Sequence, residues 1–192
     1  MLRYIGEQGV VRIIAYVNTI VVMSMAGIAQ GIQPLISFYY GRQERDVCSR
    51  LLKYSLTAAV GVAGIAFIGS MAGADWLVAL FISEKLEGLR LYSASVFRIF
   101  SLSFLVLGFN IVGSGYFTVI ERPKESLVIS MGRGIIIMAA ALAGCIAVMG
   151  GGGIWWAPAV SELTCLGVTL FLVYLYTRKE MRMAGEEQAE TV

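Results

Sequence analysis

Glu162 is a carboxylate set inside an apolar run, about eight residues, or roughly 12 Å at 1.5 Å per residue, past Ile154. At that depth an acid is protonated, pairs with a cation, or faces a water-filled cavity. The first and third possibilities suit a cation or substrate pathway, and the second a buried structural ion pair. Two polar stripes lie in other apolar runs. Gln30, Gln33, Ser37 and Tyr40 stand at offsets 0, 3, 7 and 10, and Ser103, Asn110, Ser114 and Thr118 at offsets 0, 7, 11 and 15. On a helix these spacings share a face. The donors and acceptors of the amides Gln30, Gln33 and Asn110 are hard to satisfy in a dry interface. They suit the lining of an aqueous cavity as well as they suit packing, whereas Ser37, Ser103 and Thr118 taken singly fit hydrogen bonding between packed helices. Gln30, Gln33, Asn110, Ser114 and Glu162 are therefore the candidate cavity-lining residues. Pro34 removes a helical hydrogen bond near Gln30 and is expected to kink that helix, leaving backbone that must face protein or water. Gly27 and Gly31 form a GxxxG pair suited to close helix approach.

Other chemistries lack their residues. The chain has no histidine, which excludes a His-ligated metal, a Ser-His or Cys-His nucleophile pair and a histidine proton relay. Cys48, Cys145 and Cys165 form no CxxC or paired metal spacing and read as small core residues. The run Gly150 to Gly153 is no phosphate-binding loop, because no Lys-Ser/Thr follows it. Glu121 and Glu162 fall on different helices with no nucleophile constellation near either, so no enzyme is expected. A net charge of +2 gives no footprint for nucleic acid.

The elements that position these residues follow from composition. At 58% hydrophobic, 15% charged and a mean hydropathy of +0.77, the chain lies far from soluble averages and reads as an all-α integral membrane protein. Runs of about twenty apolar residues span a roughly 30 Å hydrocarbon core. Five qualify, at about 10–40, 51–73, 92–120, 127–149 and 154–177, the last two parted by a tight connection at Gly150 to Gly153. Between the second and third, Trp76, Leu77 and Phe81 mix with Glu84, Lys85, Glu87 and Arg90, the pattern of a short helix lying at the interface. After Arg178 the chain turns acidic, and residues 180–192 are expected to form a frayed, solvated cytoplasmic tail.

Lysine and arginine set the orientation. Arg42, Arg45, Arg50, Lys53, Arg122, Lys124, Arg178, Lys179 and Arg182 fall on one side, against Arg3, Arg12, Lys85 and Arg90 on the other. The richer side is expected to be cytoplasmic, with the C-terminus inside and Met1 outside. No secretory signal is evident at the start, and an outside N-terminus without one implies further chain upstream. Arg133, about six residues or roughly 9 Å past Leu127, has a stem long enough to snorkel to the cytoplasmic headgroups, and Arg98 can do the same toward the outer face.

The order of these features resembles the multidrug and toxic compound extrusion (MATE) transporters. The stretch "AGIAQGIQPLISFYYGR" is similar to that family's "G.aqG.qPlis.nyGa" segment and is the most specific match, "RIFSLSFLVLGFNIVGSGYFTVIERPKESLVISMGRGI" resembles a later helix pair, and "GGGGIWWAPAVSELT" the start of its last helix. The likeness runs essentially from Gly6 to Lys179. It implies a partial C-terminal lobe over residues 1–179, corresponding to helices eight through twelve of a twelve-helix, two-lobed transporter. Gln30, Gln33 and Pro34 match the helix-eight motif, Asn110 falls in the helix-ten motif, and Glu162 matches the acid of the helix-twelve motif.

The resemblance further implies a plasma-membrane antiporter that exports amphiphilic, often cationic, drug-like molecules in exchange for Na⁺ or H⁺ by alternating access. It implies no cofactor or metal. Its partners would be drug-like substrates, membrane lipids and an N-terminal lobe supplying helices one to seven. One branch of the family carries a coupling carboxylate in helix ten. Here no Asp or Glu lies between Arg98 and Glu121, so the coupling-ion site is expected outside this chain. The eleventh-helix segment lacks the proline usual in relatives, which points to a straighter helix. The alternatives are a non-transporting remnant or partner-dependent membrane subunit, and a lipid-linked oligosaccharide flippase of the same superfamily, for which Arg98 and Arg133 are the candidate pyrophosphate ligands.

Overall fold

The computed structural model describes the backbone of residues 2–82 and 86–190, with side chains at 9, 11–82, 86–176 and 178. Among these residues there is no strand. The helices are α1 (Leu2–Gly41), α2 (Arg45–Phe81), α3 (Glu87–Ser101), α4 (Phe104–Val119), α5 (Pro123–Met131), α6 (Ile137–Met149) and α7 (Ala157–Glu190). A π-helical turn, Gly132–Ile136, joins α5 to α6, and a 3₁₀ turn, Gly150–Trp155, joins α6 to α7. Five stretches are long and apolar enough to cross a membrane: Val11–Gly41, Arg45–Phe81, Glu87–Val119, Pro123–Trp155 and Ala157–Tyr176.

α1 contains Pro34 and continues helically past it to Gly41. The chain then reverses through Gln43, which takes a left-handed φ of 63° while its N–H donates to the Tyr40 carbonyl. α2 follows for 37 residues. The stretch expected to form a separate interfacial helix is instead divided between two long ones: Trp76, Leu77 and Phe81 end α2, and Glu87 and Arg90 open α3. Glu84 and Lys85 lie outside the described residues. The physical reason is a buried stripe at a spacing of four. Ser70, Ala74 and Val78, followed by Ile82, keep facing the core formed with Ile13, Ile14 and Phe97, so nothing stops the helix after residue 73. Earlier in α2, Ser55, Ala59 and Ala63 are buried in the same way, and their small side chains let it lie close to α1 and α4 around Val21, Met25, Phe104 and Leu107.

The third membrane-spanning stretch is broken between α3 and α4. Leu102 and Ser103 donate to carbonyls three residues back, Ile99 and Phe100, instead of four. Ser101 and Ser103 donate their hydroxyls to the carbonyls of Arg98 and Phe100, both at 2.7 Å. Serine hydroxyls that compete for helix carbonyls in this way tighten and bend the helix.

The fourth stretch departs from expectation as well. In place of a straighter helix it contains the π turn, in which the Ile137 N–H reaches back five residues to the Gly132 carbonyl. Gly132 and Gly134 lower the resistance to such a distortion, which supplies the irregularity without a proline. At the next junction Gly150 adopts φ 64°, ψ −150°, a conformation essentially reserved for glycine. A Cβ on Gly153 would collide with the Cys145 carbonyl.

α7 continues past the membrane-spanning stretch to Glu190, so the tail expected to be frayed has a helical backbone. Its Glu, Lys, Arg, Met, Ala and Gln residues are good helix formers. A third core cluster, around Ile36, Cys48, Phe117, Ile120, Ile129 and Cys165, gathers the end of α1, the start of α2, the end of α4 and α7 near Tyr176. The α1–α2 and α4–α5 turns, with their cations, therefore lie at one end of the bundle.

Candidate functional site: a buried carboxylate and amide between α4 and α7

Glu162, Cys165 and Thr169 share a face of α7, at offsets of three and seven. That face meets α4 at Gly113, where even a methyl group would stand 2.8 Å from the Thr169 Cγ2. The close approach brings Asn110, 1% exposed, against α7. Its Nδ2 donates to the Glu162 carboxylate oxygen Oε2 at 2.8 Å and to the Glu162 backbone carbonyl at 3.0 Å. Its Oδ1 accepts from the Thr169 hydroxyl at 3.0 Å. The amide has thus found partners for both hydrogens and for its oxygen, which removes most of the cost of burying it.

Arg133 approaches from the π turn. Its Nη1 lies 3.5 Å from Glu162 Oε1, with side chains 27% and 13% exposed. That nitrogen is buried and makes no hydrogen bond of its own. The expectation that Arg133 snorkels to the headgroups is therefore corrected: it turns inward and neutralises Glu162. A π turn adds a residue to the helical repeat and shifts the direction of the side chains around it. Arg98 does not turn inward in this way, since its partner is a largely exposed carboxylate near the α2–α3 end of the bundle. It pairs with Asp75 at 2.8 Å and its Nε donates to the Met71 carbonyl at 3.5 Å.

Ser114, one turn along α4 from Asn110, belongs to an adjoining network. Its hydroxyl pairs with those of Ser130 at 2.6 Å and Ser126 at 3.1 Å, and Ser126 pairs with Thr118 at 2.7 Å. Ser126 and Ser130, four apart on α5, face Ser114 and Thr118, four apart on α4. Among the described residues Gln30 and Gln33, on α1, make no hydrogen bond to either cluster. Gln30 is exposed, whereas Gln33 is half-buried with its amide against Gly115.

Of the five candidate residues, then, Asn110 and Glu162 meet, Ser114 adjoins them, and the two glutamines do not. Sequence reasoning passed over Thr169, Ser126 and Ser130, although their spacings of seven from Glu162 and four from each other were visible. Chemically, the cluster holds one carboxylate whose charge is already balanced, so an incoming cation must compete with Arg133. Among the described residues, no group of three or more His, Cys, Asp or Glu is positioned to hold a metal.

The sequence profile of the MatE family matches residues 7–144, which takes in nearly all of α1 through most of α6. No curated protein and no solved structure matches the chain. With a profile match over more than half its length and five helical stretches able to cross a bilayer, the chain belongs to the MatE family of membrane efflux transporters and is a multi-pass membrane protein.

Proposed function

We propose that the chain acts as the C-terminal part, helices eight through twelve, of a secondary active antiporter that exports amphiphilic, often cationic compounds in exchange for Na⁺ or H⁺. The observation that carries this reading is the polar cluster of Glu162, Asn110, Thr169 and Arg133 within apolar helices. A charged group within a membrane span is costly and commonly functional. Glu162 is an acid that accepts from Asn110 and whose charge is balanced by one arginine, so a proton or a cationic substrate that takes the carboxylate frees Arg133 and changes what holds α7 to the π turn. Alternating access requires such a two-state contact. The coupling ion itself is bound by an acid of the other lobe, and the protein sits in the plasma membrane with the end bearing Arg42, Arg45 and Arg122 toward the cytoplasm.

The test is Glu162→Gln in the assembled two-lobe transporter. Cation-coupled export of a fluorescent organic cation from cells should fall, with unchanged expression. Export at the unsubstituted rate would assign Glu162 to structure alone.

A second reading, a partner-dependent subunit that transports nothing by itself, is favoured by the exposure of the polar residues Gln30 and Ser37 on α1 and by α6, which has no buried residue. Export by the chain reconstituted alone would eliminate it. The flippase reading loses support from the engagement of Arg98 with Asp75 and of Arg133 with Glu162, which leaves neither guanidinium uncommitted for a pyrophosphate.

A further inference from the structure

At the end of the bundle where α1 passes into α2, a pocket of about 150 Å³ opens among Tyr40, Arg45, Ser49, Tyr116, Phe117 and Tyr176. Four helices contribute to it, and three phenols and a guanidinium converge on it. The Arg45 guanidinium lies 5.6 Å above the Tyr40 ring. Tyr176 is held from behind by Phe117, edge to face at 6.1 Å, and by Arg122, 5.3 Å from its ring centroid. The aromatic walls are thus fixed by packing, with Arg45 lying over one of them.

Aromatic walls of this kind also suit an ammonium ion. Here two guanidiniums already occupy the faces of Tyr40 and Tyr176, so a cationic ligand would meet like charge. An anion would not. Arginine and phenol hydroxyls are donors matched to phosphate oxygens, arginine in a fork that takes two of them. The volume leaves room for a phosphoryl group. The surrounding end of the molecule is basic. Arg42, Arg45, Arg50, Lys53, Arg122, Lys124 and Arg178 outnumber Glu44, Asp46, Glu121 and Glu125. The location is also that of a headgroup, since Tyr40 lies one residue before the end of α1 and Tyr176 closes the last membrane-spanning stretch.

We propose that this pocket binds a phosphoryl group through Arg45 and the phenols of Tyr40, Tyr116 and Tyr176, and that the group is the phosphodiester of an anionic phospholipid. Basic pockets between membrane helices recognise lipid headgroups by this chemistry. Free phosphate presents the same oxygens, so the experiment separates the two sources. The full chain in detergent is titrated with phosphatidylglycerol, with phosphatidylcholine and with inorganic phosphate. Retained lipid is read by native mass spectrometry and melting by a thermal assay.

Phosphatidylglycerol is expected to be retained in preference to phosphatidylcholine and to resist displacement by millimolar phosphate. Arg45→Gln should lower retention about fivefold. Tyr116→Phe and Tyr176→Phe keep the rings and should lower it too, while lipid-free melting stays unchanged. Arg50→Gln removes an exposed charge at the same end outside the pocket and should leave retention as it was. Equal loss in Arg45→Gln and Arg50→Gln would overturn the pocket in favour of general surface attraction. Unaltered retention in Arg45→Gln, or equal retention of both lipids, would overturn it as well. Stabilisation by inorganic phosphate that Arg45→Gln abolishes, without lipid selectivity, would overturn the lipid assignment and identify free phosphate as the ligand.

Discussion

Asn110 joins groups from two positions of α7 through one amide, so its removal leaves more than one buried atom without a partner. Asn110→Ala strips a hydrogen bond from the Glu162 carboxylate and another from the Thr169 hydroxyl. The expected loss is about 1–3 kcal/mol, read as a lower midpoint of unfolding in a fixed detergent or lipid mixture. The pairing of Arg133 with Glu162 is tested by a double-mutant cycle. Arg133→Gln and Glu162→Gln should each destabilise, because each leaves the other's charge poorly compensated, and together they should cost less than the sum of the two. A coupling energy of about 0.5–3 kcal/mol is expected, and a value near zero would mean that the 3.5 Å separation carries no interaction. Glu162 was legible in the sequence because a carboxylate within an apolar run is anomalous whatever surrounds it. The inward direction of Arg133 was not, because an arginine stem is long enough to reach either the headgroups or a buried acid.

Helix α4 and helix α7 approach as closely as Gly113 allows. Gly113→Ala sets a methyl group against the Thr169 Cγ2, which cannot swing aside without giving up its hydrogen bond to Asn110. The substitution should destabilise by about 1–3 kcal/mol. Adding Thr169→Ser, which removes Cγ2 and keeps the hydroxyl, should restore most of the loss, and failure of that rescue would show that the clash lies elsewhere. At the α6–α7 junction Gly150→Ala forces a side chain into a glycine conformation at about 1–3 kcal/mol, whereas Gly151→Ala, with open space around it, should stay within about 0.5 kcal/mol.

Unfolding of the two alanine variants side by side checks the contrast. The helices themselves were readable from runs of apolar residues. Their irregularities were less so. The break at Leu102 depends on which carbonyls Ser101 and Ser103 choose, and the π turn on a distortion that the absence of proline argued against. The extent of α2 to Phe81 depends on a stripe of small residues having a core to face.

For the molecule as a whole, the distribution of cations predicts one orientation in the bilayer. In a chain with Cys145→Ser, where the remaining Cys48 and Cys165 are buried, a cysteine placed at Lys124 should react with a membrane-impermeant maleimide only after the cells are opened. A cysteine at Asp75, at the end of the bundle where α2 closes and α3 begins, should react in intact cells. The reverse pattern would invert the topology.

The sequence by itself determined the class of the protein, its all-helical spans and its resemblance to the efflux family. These depend on local quantities: the transfer of apolar residues into lipid, the need of each backbone to satisfy itself there, and short motifs around Gln30, Asn110 and Glu162. Only the tertiary structure decided that Asn110 and Arg133 are the partners of Glu162 and that Asn110 also holds Thr169, that Gln30 and Gln33 do not join them, and that three tyrosines close around Arg45. Those pairings join residues on separate helices. They follow from how closely the helices pack and how a π turn rotates one of them, and no period or composition along a single helix contains that information.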